Sequence, residues 1–260
     1  MALGTNAIDA ASFTAVRLVS GAVTLVIIFS LFSKGKGRDL TNTNWISAVC
    51  LFAYAICFSF AYIGLTTATG ALILFGSVQA TMIISALVSG ERPTLFEWVG
   101  LVVALVGLIY LVFPGLESPP VSSSFLMAIA GIAWGFYTLR GRSVGDPLTE
   151  TTRNFMSAAV LSLLVGLFFL NQQDVSIEGV LLAVLSGAIA SGIGYSVWYA
   201  ALKYHTATRA AALQLSVPAI AAVGGLVFLS EVMSLRLLAS SAMILGGIGL
   251  VLIAKNRKSQ

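Results

Sequence analysis

Two groups of aromatic side chains recur at helical spacing inside long apolar runs and could bind a solute. Each group lies on one helix face, because its members fall at i, i+4 and i+8 or at i, i+3 and i+4. The groups are Tyr54, Phe58 and Tyr62, and Tyr195, Trp198 and Tyr199. Aromatic residues on one helix face also pack against neighbouring helices without binding a solute. Glycines beside the second group allow another helix to approach closely. We predict that the tyrosines of both groups and Trp198 line a substrate cavity, with packing as the alternative.

Amide and hydroxyl side chains form a second candidate set in two other apolar runs. Ser77 and Gln79 lie in the first run, and Gln214 and Ser216 lie in the second. A serine hydroxyl can bond back to its own helix, whereas a buried amide is harder to satisfy. We predict that all four side chains line the same cavity. Pro218 removes the helical donor for the carbonyl of Gln214, which predicts a kink that could act as a hinge.

Titratable residues give little support for catalysis. The single histidine, His205, falls in a loop, and no set of His, Cys, Asp and Glu has the spacing of metal ligands. Glu91 and Glu231 fall near helix ends, where we expect them to cap helices or form ion pairs. Arg17 lies about two turns into its run, and we expect it to extend back to the membrane interface. The sequence therefore predicts no enzyme, no catalytic residue, no metal site and no cofactor.

The elements that hold these side chains are membrane-spanning helices. Of the 260 residues, 58% are hydrophobic and only 9% are charged, and the mean hydropathy is +0.98. A soluble domain carries about 25% charged residues. Backbone groups in lipid must be satisfied by helices or a closed barrel, and continuous apolar runs of about 20 residues favour helices. The predicted fold class is an all-α polytopic membrane protein.

Breaks at glycine, proline, asparagine and charged residues divide the chain into about nine predicted spans. They are Ala10 to Phe32, Trp45 to Leu65, Ala68 to Val88, Leu95 to Phe113, Phe125 to Leu139, Thr152 to Leu170, Val180 to Leu202, Ala207 to Leu229, and Leu235 to Ala254. If successive loops lie on alternate sides of the membrane, every Lys and Arg falls on one side except Arg17 and Arg236. Because cytoplasmic loops are rich in Lys and Arg, this predicts a cytoplasmic C-terminus and, with nine spans, an N-terminus outside.

An internal repeat relates the two parts of the chain. The residues from Thr67 to Ala71 recur from Thr206 to Ala210, and Ser77-Val78 recurs as Ser216-Val217. Glu91 and Gly107 have counterparts in Glu231 and Gly247, and Arg17 has one in Arg153, with nearly the same spacing. About five spans separate equivalent points, so the two copies cross the membrane in opposite directions. Inverted repeats are typical of transporters, in which the copies exchange conformations around a central site.

Several of these segments resemble the EamA-type halves of the drug/metabolite transporter superfamily. The second copy shows the resemblance from Ala212 to Pro218, from Leu229 to Glu231, and from Gly246 to Val251, and the first copy from Gly70 to Gln79 and from Gly100 to Val112. The run from Ala130 to Tyr137 is similar to the opening helix of such a half. The resemblance implies two halves, over residues 10–113 and 122–254, in a pattern of five plus five helices. It also adds Trp134 and Tyr137 to the predicted cavity.

The resemblance implies export of small metabolites or drugs by a protein of the bacterial inner (plasma) membrane. The first copy shows no counterpart of the helix from Phe125 to Leu139, so we expect either a start further upstream or a natively short protein. A short protein would make a non-transporting scaffold or partner subunit the alternative function. The predicted partners are a small-molecule substrate and the lipid bilayer, without nucleic acid, and a homodimer is left open. Because the predicted cavity carries no unpaired charge, an uncharged, zwitterionic or amphipathic solute is expected.

Overall fold

A computed structural model provides the fold of the protein. It describes residues 7–32, 40, 44–113, 119–172, 175–220 and 234–254, with residues 170–172 described by their backbone alone. Within these ranges, seven helical stretches are long and apolar enough to cross a bilayer, and Trp45–Ala61 is a shorter apolar helix. Only 22% to 44% of each spanning stretch is buried. Most of the outer surface is therefore apolar and needs lipid as its solvent, which confirms the all-α polytopic membrane fold.

The helices follow one another with short connections. They are α1 (Ala10–Phe32), α2 (Trp45–Ala61), α3 (Thr67–Val88), α4 (Leu95–Val112), α5 (Val121–Gly141), α6 (Pro147–Gly166), α7 (Ile177–Leu185), α8 (Gly194–Leu202), α9 (Ala207–Gln214) and α10 (Leu235–Ile253). A 3₁₀ segment, Leu167–Gln172, extends α6. A π-helical segment, Ser186–Ile193, joins α7 to α8.

Polar residues set where most of these helices begin. Asn44, Thr66, Asp146, Ser176, Thr206 and Ser234 each accept a hydrogen bond from a backbone N–H in the first turn of the helix that follows. Thr94 and Glu97 form a reciprocal capping box at the start of α4. These caps satisfy N–H groups that have no partner inside the helix. They also explain why α6 and α7 begin several residues before the apolar runs that the sequence analysis used to define them.

Two predicted spans differ from the structure in their continuity. The predicted helix Ala207 to Leu229 is interrupted: α9 ends at Gln214, and helix resumes over residues 216–220. Pro218 lacks the N–H that would bond the carbonyl of Gln214, which accounts for a break at this place. The rest of that span, with Glu231, lies outside the described residues. The predicted span Val180 to Leu202 contains the π-helical segment, which the apolar pattern did not indicate.

The chain forms two compact units, each built from two separate stretches of sequence. Unit 1 comprises Met1–Leu65 and Pro119–Tyr204, and unit 2 comprises Thr66–Ser118 and His205–Gln260. Unit 1 holds α1, α2 and α5 to α8, and unit 2 holds α3, α4, α9 and α10. Each unit therefore draws helices from both copies of the sequence repeat, whose boundaries at residues 10–113 and 122–254 stay a prediction.

Within unit 1, α1 packs on α6 and on the π-helical segment, and α2 packs on α5. Close approach depends on glycine: a Cβ on Gly187 would overlap the backbone carbonyl of Arg17 and the side chain of Ser20. At one end, the N–H of Ser176 donates to the carbonyl of Ala7 at 2.9 Å. The glycine contacts hold the π-helical segment directly against the part of α1 from Arg17 to Thr24.

Within unit 2, α4 and α10 form the most extensive helix pair. A Cβ on Gly100 or on Gly247 would overlap the backbone oxygen of the other glycine. An apolar core surrounds this contact, and its buried members are Leu101, Ala104, Leu108, Ala212, Leu215, Ala219, Ile244, Ile248 and Val251. The backbones of the two helices therefore touch, as is typical of helix pairs in membranes.

Candidate functional site

Unit 1 contains a continuous chain of aromatic rings, which we call the aromatic cluster. Its members lie on α2, α5, α6 and α8, except for one that directly follows α2. They are Tyr54, Phe58, Tyr62, Trp134, Tyr137, Phe155, Tyr195 and Tyr199. Each ring has at least one neighbour whose centroid lies within 6 Å. Six of the seven aromatic residues that were predicted to line a cavity are therefore brought together.

Trp134 lies at the centre of the aromatic cluster. Its ring centroid is 4.9 Å from that of Tyr54 on α2 and 4.8 Å from that of Tyr195 on α8. The rings are tilted by 44° and 51°, a geometry that aromatic pairs favour over face-to-face stacking. Tyr54 and Tyr199 are buried, whereas Trp134 and Tyr195 are only partly buried. The middle of the cluster therefore keeps some ring surface that a solute could cover.

Arg17 of α1 lies beside the centre of the aromatic cluster. Its Nε donates to the hydroxyl of Ser191 at 3.2 Å, and its Nη2 donates to the hydroxyl of Tyr54 at 3.3 Å. The guanidinium carbon is 5.5 Å from the ring centroid of Tyr54 and 5.6 Å from that of Phe58. These distances permit cation–π attraction. The arrangement places one positive charge among hydroxyls and ring faces.

The burial of Arg17 corrects two expectations from the sequence. The side chain does not extend to the membrane interface, because it is only 8% exposed and turns inward to Ser191 and Tyr54. The expectation that the candidate cavity has no unpaired charge is also wrong. Every described partner of Arg17 is a neutral group, so the positive charge is not balanced by a carboxylate there.

Trp198 is the one predicted aromatic residue outside the aromatic cluster. It lies on α8 between Tyr195 and Tyr199 in sequence, but its ring has no aromatic neighbour among the described residues. Its indole Nε1 is buried without a hydrogen-bond acceptor in the part of the chain that the structure describes. A substrate role for Trp198 stays a prediction.

A small pocket adjoins the end of the aromatic cluster that Tyr137 and Tyr199 form. Ser47, Glu150 and Asn154 add polar groups to its lining. Glu150 forms an ion pair with Arg153, one turn along α6, at 3.6 Å between Oε2 and Nη1. The pocket thus combines two phenol rings with an acidic group that already has a basic partner.

The predicted amides and hydroxyls lie in unit 2, where the two amides join α3 to α9. Gln79 donates from Nε2 to the carbonyl of Ala211 at 2.7 Å, and Gln214 donates to the sulfur of Met82 at 2.9 Å. Both glutamines are almost fully buried, at 2% and 4% exposure. Ser216 donates back to the carbonyl of Leu213 at 2.7 Å.

These contacts give both glutamines a part in helix packing, although a buried amide was expected to be harder to satisfy than a serine hydroxyl. Ser77 is half-buried, and its carbonyl accepts a hydrogen bond from Thr81 at 2.8 Å. Pro218 lies in the helical stretch 216–220, directly after the break at Gln214. Substrate contact by Ser77, Gln79, Gln214 and Ser216, and hinge motion at Pro218, stay predictions.

Glu91 lies in unit 2 and caps the start of α9. Its carboxylate accepts hydrogen bonds from the N–H of Ala207 at 3.0 Å and from the N–H and hydroxyl of Thr208 at 3.4 and 3.2 Å. A carboxylate at this place is favoured by the free N–H groups and the positive end of the helix dipole. This outcome confirms the expectation that Glu91 caps a helix.

Sequence reasoning missed Arg17, Ser191 and Phe155 as members of the site. The signal for Arg17 was present, since an arginine inside an apolar run is costly and marks a functional site by default. No sequence signal identified Ser191, because its orientation depends on the π-helical segment. Such segments occur often at functional sites.

Comparison with known proteins agrees with the fold and with the sequence resemblance. The model of the EamA-like transporter family matches residues 1–113 and 121–253. The chain belongs to the EamA-like transporter family. Membership makes it a membrane transporter in general terms, and its fold is shared with a crystal structure at a TM-score of 0.80, with 19% identity over 97% of this chain and 91% of the other.

Relatives come from several bacteria and from an archaeon. The chain is 44% identical to the uncharacterized protein PA1977 of Pseudomonas aeruginosa, over 96% of this chain and 87% of that protein. It is 24% identical to an uncharacterized transporter of Archaeoglobus fulgidus, over 92% and 87% of the two chains. It is 31% identical to the threonine/homoserine exporter RhtA of Escherichia coli, over 65% of this chain and 59% of RhtA. The EamA resemblance predicted from the sequence is thus confirmed.

Proposed function

We propose that the protein is a secondary transporter that exports a small organic solute by alternating access. The observation that carries the proposal is the buried set of hydroxyls, aromatic rings and one guanidinium inside unit 1, in a chain of the EamA-like transporter family. Polar groups buried in a membrane are costly and mark substrate pathways. The inverted sequence repeat supports alternation between two equivalent states.

The outward direction of transport draws its support from a relative. RhtA is named a threonine/homoserine exporter and aligns with about two thirds of this chain. The placement of 12 of the 14 Lys and Arg residues in or near one set of alternate loops supports a cytoplasmic C-terminus in a bacterial inner membrane. On this orientation the solute is taken up from the cytoplasm and released outside. The proposed role is transport without catalysis.

Flux through the purified protein in liposomes tests this proposal. Liposomes are loaded with a panel of radiolabelled amino acids and small metabolites, and efflux is followed with and without a proton or sodium gradient. We expect efflux of at least one solute class in excess of protein-free liposomes. Absence of flux for the whole panel, from protein that is shown to be folded, would count against a transporter that works on this chain alone.

A matched pair of variants connects flux to the site. Trp134 and Phe136 are neighbouring aromatic residues on α5, but Trp134 lies in the aromatic cluster, whereas Phe136 is 49% exposed on the outer surface. We expect Trp134→Ala to lower flux at least tenfold and Phe136→Ala to change it less than twofold. Equal effects of the two substitutions on flux would contradict the proposal that the aromatic cluster contacts the substrate.

A further inference from the structure

We propose that Arg17 binds the carboxylate of the transported solute, so that the substrates are small organic acids or amino acids with a free carboxylate. This inference rests on the proposed transport function and names the chemical class of its substrate. The aromatic cluster would cover the remainder of the solute, with Trp134 and Tyr195 as its partly uncovered rings.

The first support is the unbalanced charge of Arg17. The side chain is 8% exposed and belongs to an apolar helix long enough to cross a bilayer. Its described partners are the hydroxyls of Ser191 and Tyr54 and the ring faces of Tyr54 and Phe58, all of which are neutral. Burying a charge without a counter-charge is costly, and a bound carboxylate would supply the missing counter-charge.

The sequence repeat provides an internal comparison for this charge. Arg153 is the counterpart of Arg17 in the second copy, and it pairs with Glu150, three residues earlier on the same helix, at 3.6 Å. The residue three positions before Arg17 is Thr14. Its hydroxyl bonds to the carbonyl of Ala10 at 2.7 Å and to the hydroxyl of Ser59 at 2.8 Å. One copy therefore has a carboxylate for its arginine on the same helix, and the other copy has none.

The donors around Arg17 suit a carboxylate. A guanidinium offers five N–H groups in a planar fork that matches the two carboxylate oxygens. The hydroxyl groups of Ser191 and Tyr54 accept hydrogen bonds from the guanidinium at 3.2 and 3.3 Å. A hydroxyl has one donor and two acceptor sites, so the same groups can also donate to a ligand oxygen when they rotate. The site thus offers a guanidinium, which binds carboxylates through charge-assisted hydrogen bonds, together with hydroxyls next to it.

The π-helical segment explains how Ser191 comes to this place. Gly187 brings the segment against the backbone of Arg17, since a Cβ there would overlap the carbonyl of Arg17. The wider π turn then directs Ser191 to Nε of the guanidinium. Because π-helical turns occur frequently at functional sites, the segment is a second indication that this surface of α1 has a function.

Ligand-induced thermal stabilisation of the purified full chain tests the proposal. The probes are amino acids and small monocarboxylates, each paired with its own carboxamide, which keeps the size but removes the charge. We expect carboxylates to raise the unfolding temperature of the wild type and their carboxamides not to do so. We expect Arg17→Met to weaken the apparent affinity at least tenfold, and Arg17→Lys to weaken it less, because lysine keeps the charge but not the fork.

Arg236→Met is the matched control, because Arg236 is an exposed residue at the start of α10. It should respond to carboxylates as the wild type does. Stabilisation of the wild type by carboxamides and carboxylates alike, or full retention of the carboxylate response in Arg17→Met, would overturn the proposal. Stabilisation by phosphatidylglycerol vesicles but by no carboxylate would also overturn it, since the anion would then be a lipid headgroup.

Flux measurements separate this inference from the proposed function. If uncharged solutes cross the membrane through the wild type and Arg17→Met equally well, transport stands and the carboxylate assignment is wrong. If carboxylates stabilise the wild type but no solute crosses, the site binds carboxylates as proposed and the transport function fails.

Discussion

The guanidinium of Arg17 on α1 donates a hydrogen bond to the hydroxyl of Tyr54 on α2, with 3.3 Å between Nη2 and the phenol oxygen. The same guanidinium carbon is 5.5 Å from the centroid of that tyrosine ring. One tyrosine thus contacts the charge with both its polar and its aromatic part. This pairing fixes the position of the charge between α1 and α2 without neutralising it.

Replacing Arg17 with methionine should leave the folded protein as stable as the wild type or more stable. A charge that is buried without a counter-charge costs free energy, and methionine at this place does not carry that cost. Thermal unfolding of the detergent-purified variants, followed by tryptophan fluorescence, measures this. A marked loss of stability would indicate that the interactions of Arg17 with Ser191 and Tyr54 chiefly hold the helices together.

Introducing an acid at residue 14 should mimic the second copy of the repeat and block the site. Thr14→Glu places a carboxylate one turn before Arg17, as Glu150 is placed before Arg153. We expect the apparent affinity for carboxylate probes to fall at least tenfold, since an ion pair on the same helix would replace the ligand.

Thr14→Gln is the control for size, because it has the same number of side-chain heavy atoms as glutamate and no charge. Thr14 is fully buried, so both variants are expected to lose some stability by overpacking, about 1 to 3 kcal/mol. The comparison between the two therefore isolates the charge. Equal affinities in Thr14→Glu and Thr14→Gln would argue against an electrostatic role for Arg17.

Removing the Glu91 carboxylate should destabilise unit 2 at the start of α9. Glu91→Ala leaves the N–H groups of Ala207 and Thr208 without their acceptor, and losing a cap costs about 0.5 to 2 kcal/mol. Chemical unfolding of the purified variant measures the change. Glu178→Ala provides the comparison, because Glu178 is an exposed acid in the first turn of α7 and should contribute at most about 1 kcal/mol.

A methyl group at Gly247 should separate α4 from α10. A Cβ there would overlap the carbonyl of Gly100 and lie 2.7 Å from the backbone nitrogen of Ala104. Overpacking of this kind costs about 1 to 3 kcal/mol. At Gly249, two residues along the same helix, a Cβ would meet no atom within 4 Å, so Gly249→Ala should be neutral or stabilising by up to about 1 kcal/mol. Chemical unfolding of the two purified variants measures the difference.

His205 should make stability depend on pH below its ordinary titration range. Burial, with a smaller contribution from the charge of Arg209, lowers the pKa of His205 in the folded protein. Below about pH 6.5 the histidine binds a proton more readily in the unfolded chain than in the folded chain. The stability of the folded protein therefore falls as the pH decreases below about 6.5, and it is constant above that pH. The free energy of unfolding of the wild type and of His205→Gln is measured at pH 7.5 and at pH 5.5. We expect the wild type to lose more stability between the two pH values than His205→Gln does.

The apolar pattern predicted the spans well because lipid requires long apolar segments whatever their tertiary contacts. Helix starts were predicted less well, since polar caps such as Asp146 and Ser176 lie outside the apolar runs. The π-helical segment was not predicted at all. Its backbone hydrogen bonds join residues five apart instead of four, and the amino-acid composition does not indicate that difference.

The aromatic part of the site could be predicted, whereas its charge could not. Tyr54, Tyr195 and Tyr199 share helix faces that periodicity shows directly. The direction of the Arg17 side chain depends on α2 and on the π-helical segment, which lie 37 and 174 residues away in sequence at Tyr54 and Ser191. Periodicity within one helix holds no information about contacts at such separations.

The interleaved composition of the two units has a consequence for biosynthesis. The helix α2 packs on α5, and the ribosome begins α5 only after it has completed the 59 residues that separate Ala61 from Val121. At about 5 to 20 residues per second, the first two helices wait several seconds in the bilayer before their partners emerge. During that interval the arginine of the nascent α1 lacks its hydrogen bond to the hydroxyl of Ser191. The insertion machinery or lipid headgroups must keep the Arg17 charge out of the hydrocarbon until translation reaches α8.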